Sequence, residues 1–378
     1  MESTTRITKP GPSVTGTDSE FGTAPKSEKP KSEPGAKVSD KDFEEVVLER
    51  HGITIQHRGP CQDIIGHFGL EGKPETLAGR LDLYKTEFPD LKVWLSPDNK
   101  DDIAMEYRVM EHAHMNEATF SAKAMQFFFR SEVLNELLSV KRFVPYRTFK
   151  LFLKRDKDNM WQAPPPVLVY THPKEYKWDL RTDASYYVSI EAFKPLFHAE
   201  LDGYASVVYE RATCPYFTVD IKKREDELIA MARCQVAAFG AMALYNRYQL
   251  KCRSLKANKH KPPKNWSQED KEQMEHYGAT FTGAEWIIWC IRPKTLPQWT
   301  GCTMAIIDQG DCTTVEGVEL LLGILNDIHY WGMKIHGQSC KGDIESCHYW
   351  ADGSNKSRVS EYGTQEPAIR LVPTGQTT

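Results

Sequence analysis

Cys214-Pro215-Tyr216-Phe217-Thr218-Val219-Asp220-Ile221-Lys222-Lys223 is the stretch on which the fold turns. Its β-branched and aromatic residues alternate with polar ones, which predicts a strand. The two-residue period sends Phe217, Val219 and Ile221 to one face, toward a core. Tyr216, Thr218, Asp220 and Lys222 share the other. Asp220 and Lys222 then stand about 7 Å apart along the chain, a carboxylate beside an ammonium. The carboxylate suits a hard divalent cation, and the ammonium suits a water or a developing phosphorane oxygen. A solvated strand end carrying two charges explains the same residues, so this pair alone does not decide the chemistry.

The next element adds a polar group. Residues 225–250 are rich in Ala, Met and Leu and predict a long helix. On a 3.6-residue period Gln235 falls on the stripe of Leu228, Ala232, Phe239 and Met242, the face expected to pack on a sheet. Its amide either reaches a polar site at the sheet edge or turns to solvent from the stripe margin. A protein-kinase reading of this region fails. Gly203-Tyr204-Ala205-Ser206-Val207-Val208-Tyr209 lacks the three-glycine pattern, and no HRD or DFG follows Lys222.

Outward from these two elements, residues 1–39 read as a disordered tail rich in Pro, Gly, Ser and Thr, with too little apolar surface to offset ordering. A helix is expected from Asp40 to Gly52, and two more between Asp102 and Val140, broken at Met115-Asn116. Strands are expected at Thr148–Leu153, Val167–Thr171, Ala184–Ile190, Tyr204–Tyr209, Tyr216–Ile221, Trp286–Ile291 and Thr303–Ile307. A polar helix near Gln268–His276 and a final helix, Val315–Trp331 stopped by Gly332, complete one α/β domain over 40–350. Residues 351–378 read as a polar tail.

The chain has 378 residues, 40% of them hydrophobic, and a net charge of −4, enough apolar content for one large core. Mild acidity excludes a polybasic coat for nucleic acid and leaves room for one basic groove. No apolar run is expected to approach the ~20 residues that span a bilayer, so no membrane partner is expected. The Met1 end lacks an apolar signal region, and the 9 cysteines contain no CxxC pair. Both observations predict reduced thiols in an intracellular place. The oligomeric state is open.

Between Leu228 and Gln268 stand Arg233, Arg247, Lys251, Arg253, Lys256, Lys259, Lys261 and Lys264, with no acid. Two readings are open: a helix end and soluble loop, or an edge that tracks phosphates. For the second, Lys223, Arg247, Lys251 and Arg253 are the candidate nucleic-acid contacts. His336, Cys340, Cys347 and His348, with Cys302 or Cys312, are spaced too loosely for a zinc site and read as ordinary thiols and imidazoles.

The strand, with the glutamine that follows it, resembles the PD-(D/E)XK nuclease-like proteins, in particular a branch found mainly in filamentous fungi. The resemblance runs from about Asp42 to Cys347. It includes Asp42-Phe43-Glu44-Glu45, Asn116-Glu117-Ala118-Thr119-Phe120, the Cys214–Lys223 strand, Gln235 through Leu244-Tyr245-Asn246-Arg247, Trp331-Gly332 and His336-Gly337. It implies a restriction-endonuclease-like αβββαβ core, a mixed central sheet flanked by helices, here with a helical N-terminal flank. Carried over, Glu117 matches the helix acid and Asp183, in Arg181-Thr182-Asp183-Ala184, the second-strand acid. Asp220 and Lys222 match the signature, and Gln235 resembles the glutamine of exonuclease-like members. Thr182 replaces the proline of the PD pair, and Phe239 stands where a tyrosine would complete QxxxY.

The resemblance implies a metal-dependent nuclease, acting on DNA ahead of RNA, with the nucleus as a possible place. Asp183, Asp220, the Ile221 carbonyl and Glu117 would hold Mg²⁺ or Mn²⁺, and Lys222 would stabilise the attacking hydroxide. Glu117 also reads as an acid stabilising a helix N-terminus, and Asp183 as a turn acid. Glu132 and Glu136 are rivals for the helix acid. The alternative function is a catalytically inactive fold of the same kind that binds nucleic acid or protein.

Overall fold

The computed structural model describes residues 35–56, 76–89, 91–130, 145–149, 152–153, 161–169, 175–178, 180–198, 201–208, 211–257 and 266–351. Within them a mixed parallel and antiparallel sheet is flanked by helices on both faces. Its path runs β1 (Ile53–Gln56), β10 (Cys302–Asp311), β9 (Glu285–Pro293), β8 (His276–Thr282), β7 (Ala212–Lys222), β5 (Ala184–Ser189) and β2 (Pro145–Phe149), and β6 (Val207–Val208) pairs with β7. A two-stranded ribbon joins β3 (Phe152–Leu153) to β4 (Leu180–Arg181). β7 is parallel to β8 and β10 to β1; the other neighbours are antiparallel.

Side-chain alternation along β9 shows how the two faces are filled. Trp286, Ile288 and Cys290 join one core, together with α1 (Leu77–Glu87), α2 (Lys100–His112), α3 (Glu117–Phe127) and α5 (Val315–Trp331). Trp289 and Ile291 point into the other, which α4 (Asp226–Ala257) covers with the N-terminal helical turns Glu44–Leu48 and Glu49–His51. α6 (Gln338–Ala351) packs on α4 from outside.

β7 is covered on both sides. Phe217, Val219 and Ile221 are buried as expected, but so are Thr218, Asp220 and Lys222 on the face read as solvated. This is the fully covered environment of a strand with a parallel neighbour.

α4 comes unusually close to the sheet. A β-carbon at Gly278 would lie 2.3 Å from Val236 Cγ1, and one at Gly240 would lie 2.0 Å from Ile291 Cδ1. The helix is long and apolar enough by composition to cross a membrane, contrary to expectation, yet 67% of its most apolar window is buried within the protein. Its apolar surface is therefore core surface.

Other expectations need correction. Packing starts ahead of Asp40, since Ala36 is buried and its N–H donates to Glu175 O at 3.0 Å. Val167–Val169 form no strand; the Val167 and Leu168 amides instead both donate to Arg50 O. His276 opens β8 rather than closing a helix, which spans only Gln268–Glu272. Gly332 does not end the chain's helical structure. It packs flat on the Tyr216 ring and leads through a wide turn, Gly332–Gly337, into α6. Most of residues 1–39, residues 131–144 with Glu132 and Glu136, and nearly all of the expected C-terminal tail lie outside the described residues.

Gly240→Ala should destabilise the fold by about 1–3 kcal/mol through overpacking. That is the opposite sign to the gain of about 1 kcal/mol for the same change in an open helix. A urea midpoint that stays level or rises would contradict the close approach of α4.

Candidate active site

The end of β7 is tied to two other parts of the chain. Asp183, just before β5, accepts the Ile221 N–H on Oδ2 at 2.8 Å, while its own N–H donates to Val219 O at 3.1 Å. Glu117 opens α3, whose Asn116 cap accepts from the Thr119 N–H, and its Oε2 accepts the Lys223 N–H at 3.3 Å. These bonds bring Asp183 and Glu117 to the strand that carries Asp220 and Lys222. Thr182, at the position of the missing proline, shares a buried 3.0 Å hydrogen bond with Ser185 and fixes the turn around Asp183.

Lys222 Nζ is the centre of the group. It lies 2.9 Å from Asp220 Oδ2 and 3.6 Å from Asp183 Oδ2, and donates to the Ile221 carbonyl at 3.2 Å. Asp220 has no exposed surface, and neither of its carboxylate oxygens accepts a hydrogen bond of ordinary geometry. Burial pushes this carboxyl up to about 8 against the pull of the Lys222 ammonium, with Asp183 and Glu117 adding to the rise. Burial pulls the Lys222 ammonium down, but the Asp220 and Asp183 carboxylates outweigh it and its net shift is upward. The lysine is therefore the charged member of the pair across the physiological range.

The donors fit one kind of metal better than another. Among the described residues no three His, Cys, Asp or Glu side chains converge closely enough to hold an ion by themselves. A dedicated protein cage is thus missing among them. A hard cation that keeps several waters and takes one or two carboxylates plus a substrate phosphate needs no such cage. The unpartnered Asp220 Oδ1, the Asp183 carboxylate and the Ile221 carbonyl suit that ion, with Glu117 placed to hold one of its waters.

Among the described residues no hydrogen bond joins Gln235 to this group. Val236 and Gly240 make the sheet contact, and Gln235 is half-buried beside them. The expected basic edge also changes character. Arg247 is buried and paired with Asp343 Oδ2 at 2.6 Å, and it donates to Ser339 Oγ. Lys251 bridges Asp270 and Asp343. Arg253 is half-buried and donates to Gln249 O within its own helix. These side chains tie α4 to α6 and to the turn before β8, so Arg247 and Lys251 are structural rather than free to meet a phosphate. Lys223 is exposed, with a surface pair to Glu225 at 2.8 Å.

Two features escaped the sequence reading. β8 lies beside Asp220 and Lys222 with Thr280 and Thr282 in register, and Thr218 hydrogen-bonds His276 at 2.8 Å. The two-residue spacing His276, Gly278, Thr280, Thr282 was the available signal. Arg224, exposed next to the site, pairs with Glu285 across the β8–β9 turn at 2.7 Å. Comparison of the chain with protein-family models, curated proteins and solved structures finds no match to any of them.

Because the folded Asp220 carboxyl titrates near 8 and an unfolded one near 3.9, the folded chain holds the extra proton between those values. Its stability in EDTA should fall, relative to Asp220→Asn, as pH rises from about 4 to about 8, and the gap should level off above. Parallel pH profiles for the two proteins in urea titrations would contradict the buried, proton-binding carboxyl.

Proposed function

We propose that the chain is a metal-dependent phosphodiesterase of the PD-(D/E)XK nuclease-like kind, acting on DNA ahead of RNA. The observation that carries this reading is the Lys222 ammonium set between Asp220 and Asp183 at the end of a buried strand. The order of elements supports it as well. A helix, α3, precedes the antiparallel run β2–β5–β7, and then a helix, α4, leads to β8 parallel to β7. With the β3–β4 ribbon and β6 set aside, this order is consistent with the αβββαβ succession of restriction-endonuclease-like cores, the acids standing on its first helix, before its second strand and on its third.

When bound, Mg²⁺ or Mn²⁺ supplies a water of lowered pKa and neutralises charge on the scissile phosphate. Asp220, Asp183 and the Ile221 carbonyl would hold that ion, and Glu117 would hold a water beside it. Lys222 keeps its ammonium beside the attacking oxygen and offsets negative charge as the phosphorane forms. Phosphoryl transfer needs little beyond this positioning. Beside the end of β7, Lys223 and Arg224 sit in exposed, solvent-screened pairs, which a polyanion can exchange at little expense.

The second reading, a fold that binds nucleic acid or protein without cutting, is favoured by the internal use of Arg247 and Lys251. Cleavage of plasmid, linear and single-stranded DNA and of RNA separates the two. Under the nuclease reading, Mg²⁺ or Mn²⁺ supports cutting, EDTA abolishes it, and Lys222→Ala lowers the rate by about a hundredfold or more. Wild type inert on every substrate in both metals would hand the fold to the binding reading.

A further inference from the structure

Toward the start of β7, away from the Asp220 group, two residues, Tyr216 and Cys214, are out of the β5 ladder. Tyr187 pairs with Pro215 and Val188 with Thr213, so Cys214 has no partner on β5, and its φ is 51°. A left-handed conformation is strained for cysteine, and a bulge of this kind re-aims a side chain. The strain puts the Cys214 thiol against α6. There the His336 Nε2–H donates to the Cys214 carbonyl at 3.1 Å, and the same nitrogen lies 3.4 Å from Cys340 Sγ.

Cys214 also lines a cavity of about 20 Å³ with Trp161, Ser206, Thr213, Arg247 and Arg253, room for one small polar molecule. Arg247 is 5% exposed and its Nε has no hydrogen-bond partner. Thr213 Oγ1 lies 3.6 Å from the Cys214 sulfur. A hydrogen bond from the Cys340 thiol pulls the Cys214 thiol down more than burial pushes it up, with Thr213 and Arg247 helping. Burial and the same bond hold Cys340 protonated. The cluster thus has a nucleophile, a second thiol against it and a small cavity lined by two guanidinium groups. Those cations oppose a metal ion and favour an anionic sulfur.

We propose that Cys214 is a peroxide-reactive thiol and that Cys340 resolves it into a disulfide joining β7 to α6. The Cys214 thiolate attacks one oxygen of hydrogen peroxide; an S–O bond forms, the O–O bond breaks, and the departing hydroxide leaves as water after taking a proton. Cys340 then attacks the Cys214 sulfenic sulfur; the S–S bond forms, the S–O bond breaks, and hydroxide leaves as water with the Cys340 proton. Two thiols are oxidised by two electrons and one peroxide is reduced to two waters. The proposal is independent of the nuclease reading.

The test treats the full chain with hydrogen peroxide, blocks remaining thiols with N-ethylmaleimide and maps the non-reduced digest by mass spectrometry. The expected result is a Cys214–Cys340 cross-linked peptide that dithiothreitol reverses. In Cys340→Ser the reaction should stop at sulfenic acid, seen as a dimedone adduct on Cys214. The proposal is overturned if treated wild type carries maleimide on both Cys214 and Cys340, or if Cys214 is joined to a different cysteine. The wild-type map decides the matter even where the variant fails to fold.

Discussion

An acid and an ammonium buried side by side at the end of β7, Asp220 and Lys222, set the terms for everything around them. Removing a carboxylate and an ammonium from water costs several kcal/mol per ion, and their attraction recovers it only when the remaining lone pairs and protons are satisfied. Here they are not: the Asp220 carboxylate lacks ordinary hydrogen bonds, and burial drives it toward its neutral form. A pair kept for stability alone would be better replaced by apolar residues of similar volume. Under the proposed function, the arrangement is a site held ready for a further positive charge.

The rest of the fold holds that strand end still. Asp183 and Glu117 reach it through backbone amides of β7, so the acids are placed by main chain rather than by long flexible side chains. β8 closes one side in parallel register, and α4 lies close against β8 and β9 through two glycine contacts. Farther out, Arg247, Lys251 and Asp343 fasten α6 to α4, a network in which losing one member leaves a buried charge uncompensated. Support thus runs from α6 through α4 and the sheet to Asp220 and Lys222.

Much of this was legible in the amino-acid order. The β7 alternation, the Ala-rich run of α4, the capped start of α3 and the aromatic strand β9 each carry a strong period; Asp220 was named from its strand, Glu117 and Asp183 from the family resemblance. What was illegible depends on partners distant in the chain. Arg247 and Lys251 looked free because no acid stands near them in sequence; Asp343 arrives almost a hundred residues later. β8 was hidden because the positions facing the site are polar or glycine, which weakens the apolar alternation of a strand. α6 was hidden behind Gly332 and Gly337, although Cys340, Ile344 and Cys347 mark one buried helix stripe. Those cysteines had been weighed as metal ligands and set aside, and their helical spacing went unread.

The central claim, that the buried Asp220 carboxylate is held for a divalent cation, is tested most directly by Mn²⁺ binding. Electron paramagnetic resonance of the full chain, compared with Asp220→Asn, reads bound against free ion without any substrate. The account predicts a saturable Mn²⁺ site in wild type, tightening as pH rises toward 8, and its loss in the variant. Equal binding by both proteins, or none by wild type at millimolar Mn²⁺ and pH 8, would contradict it.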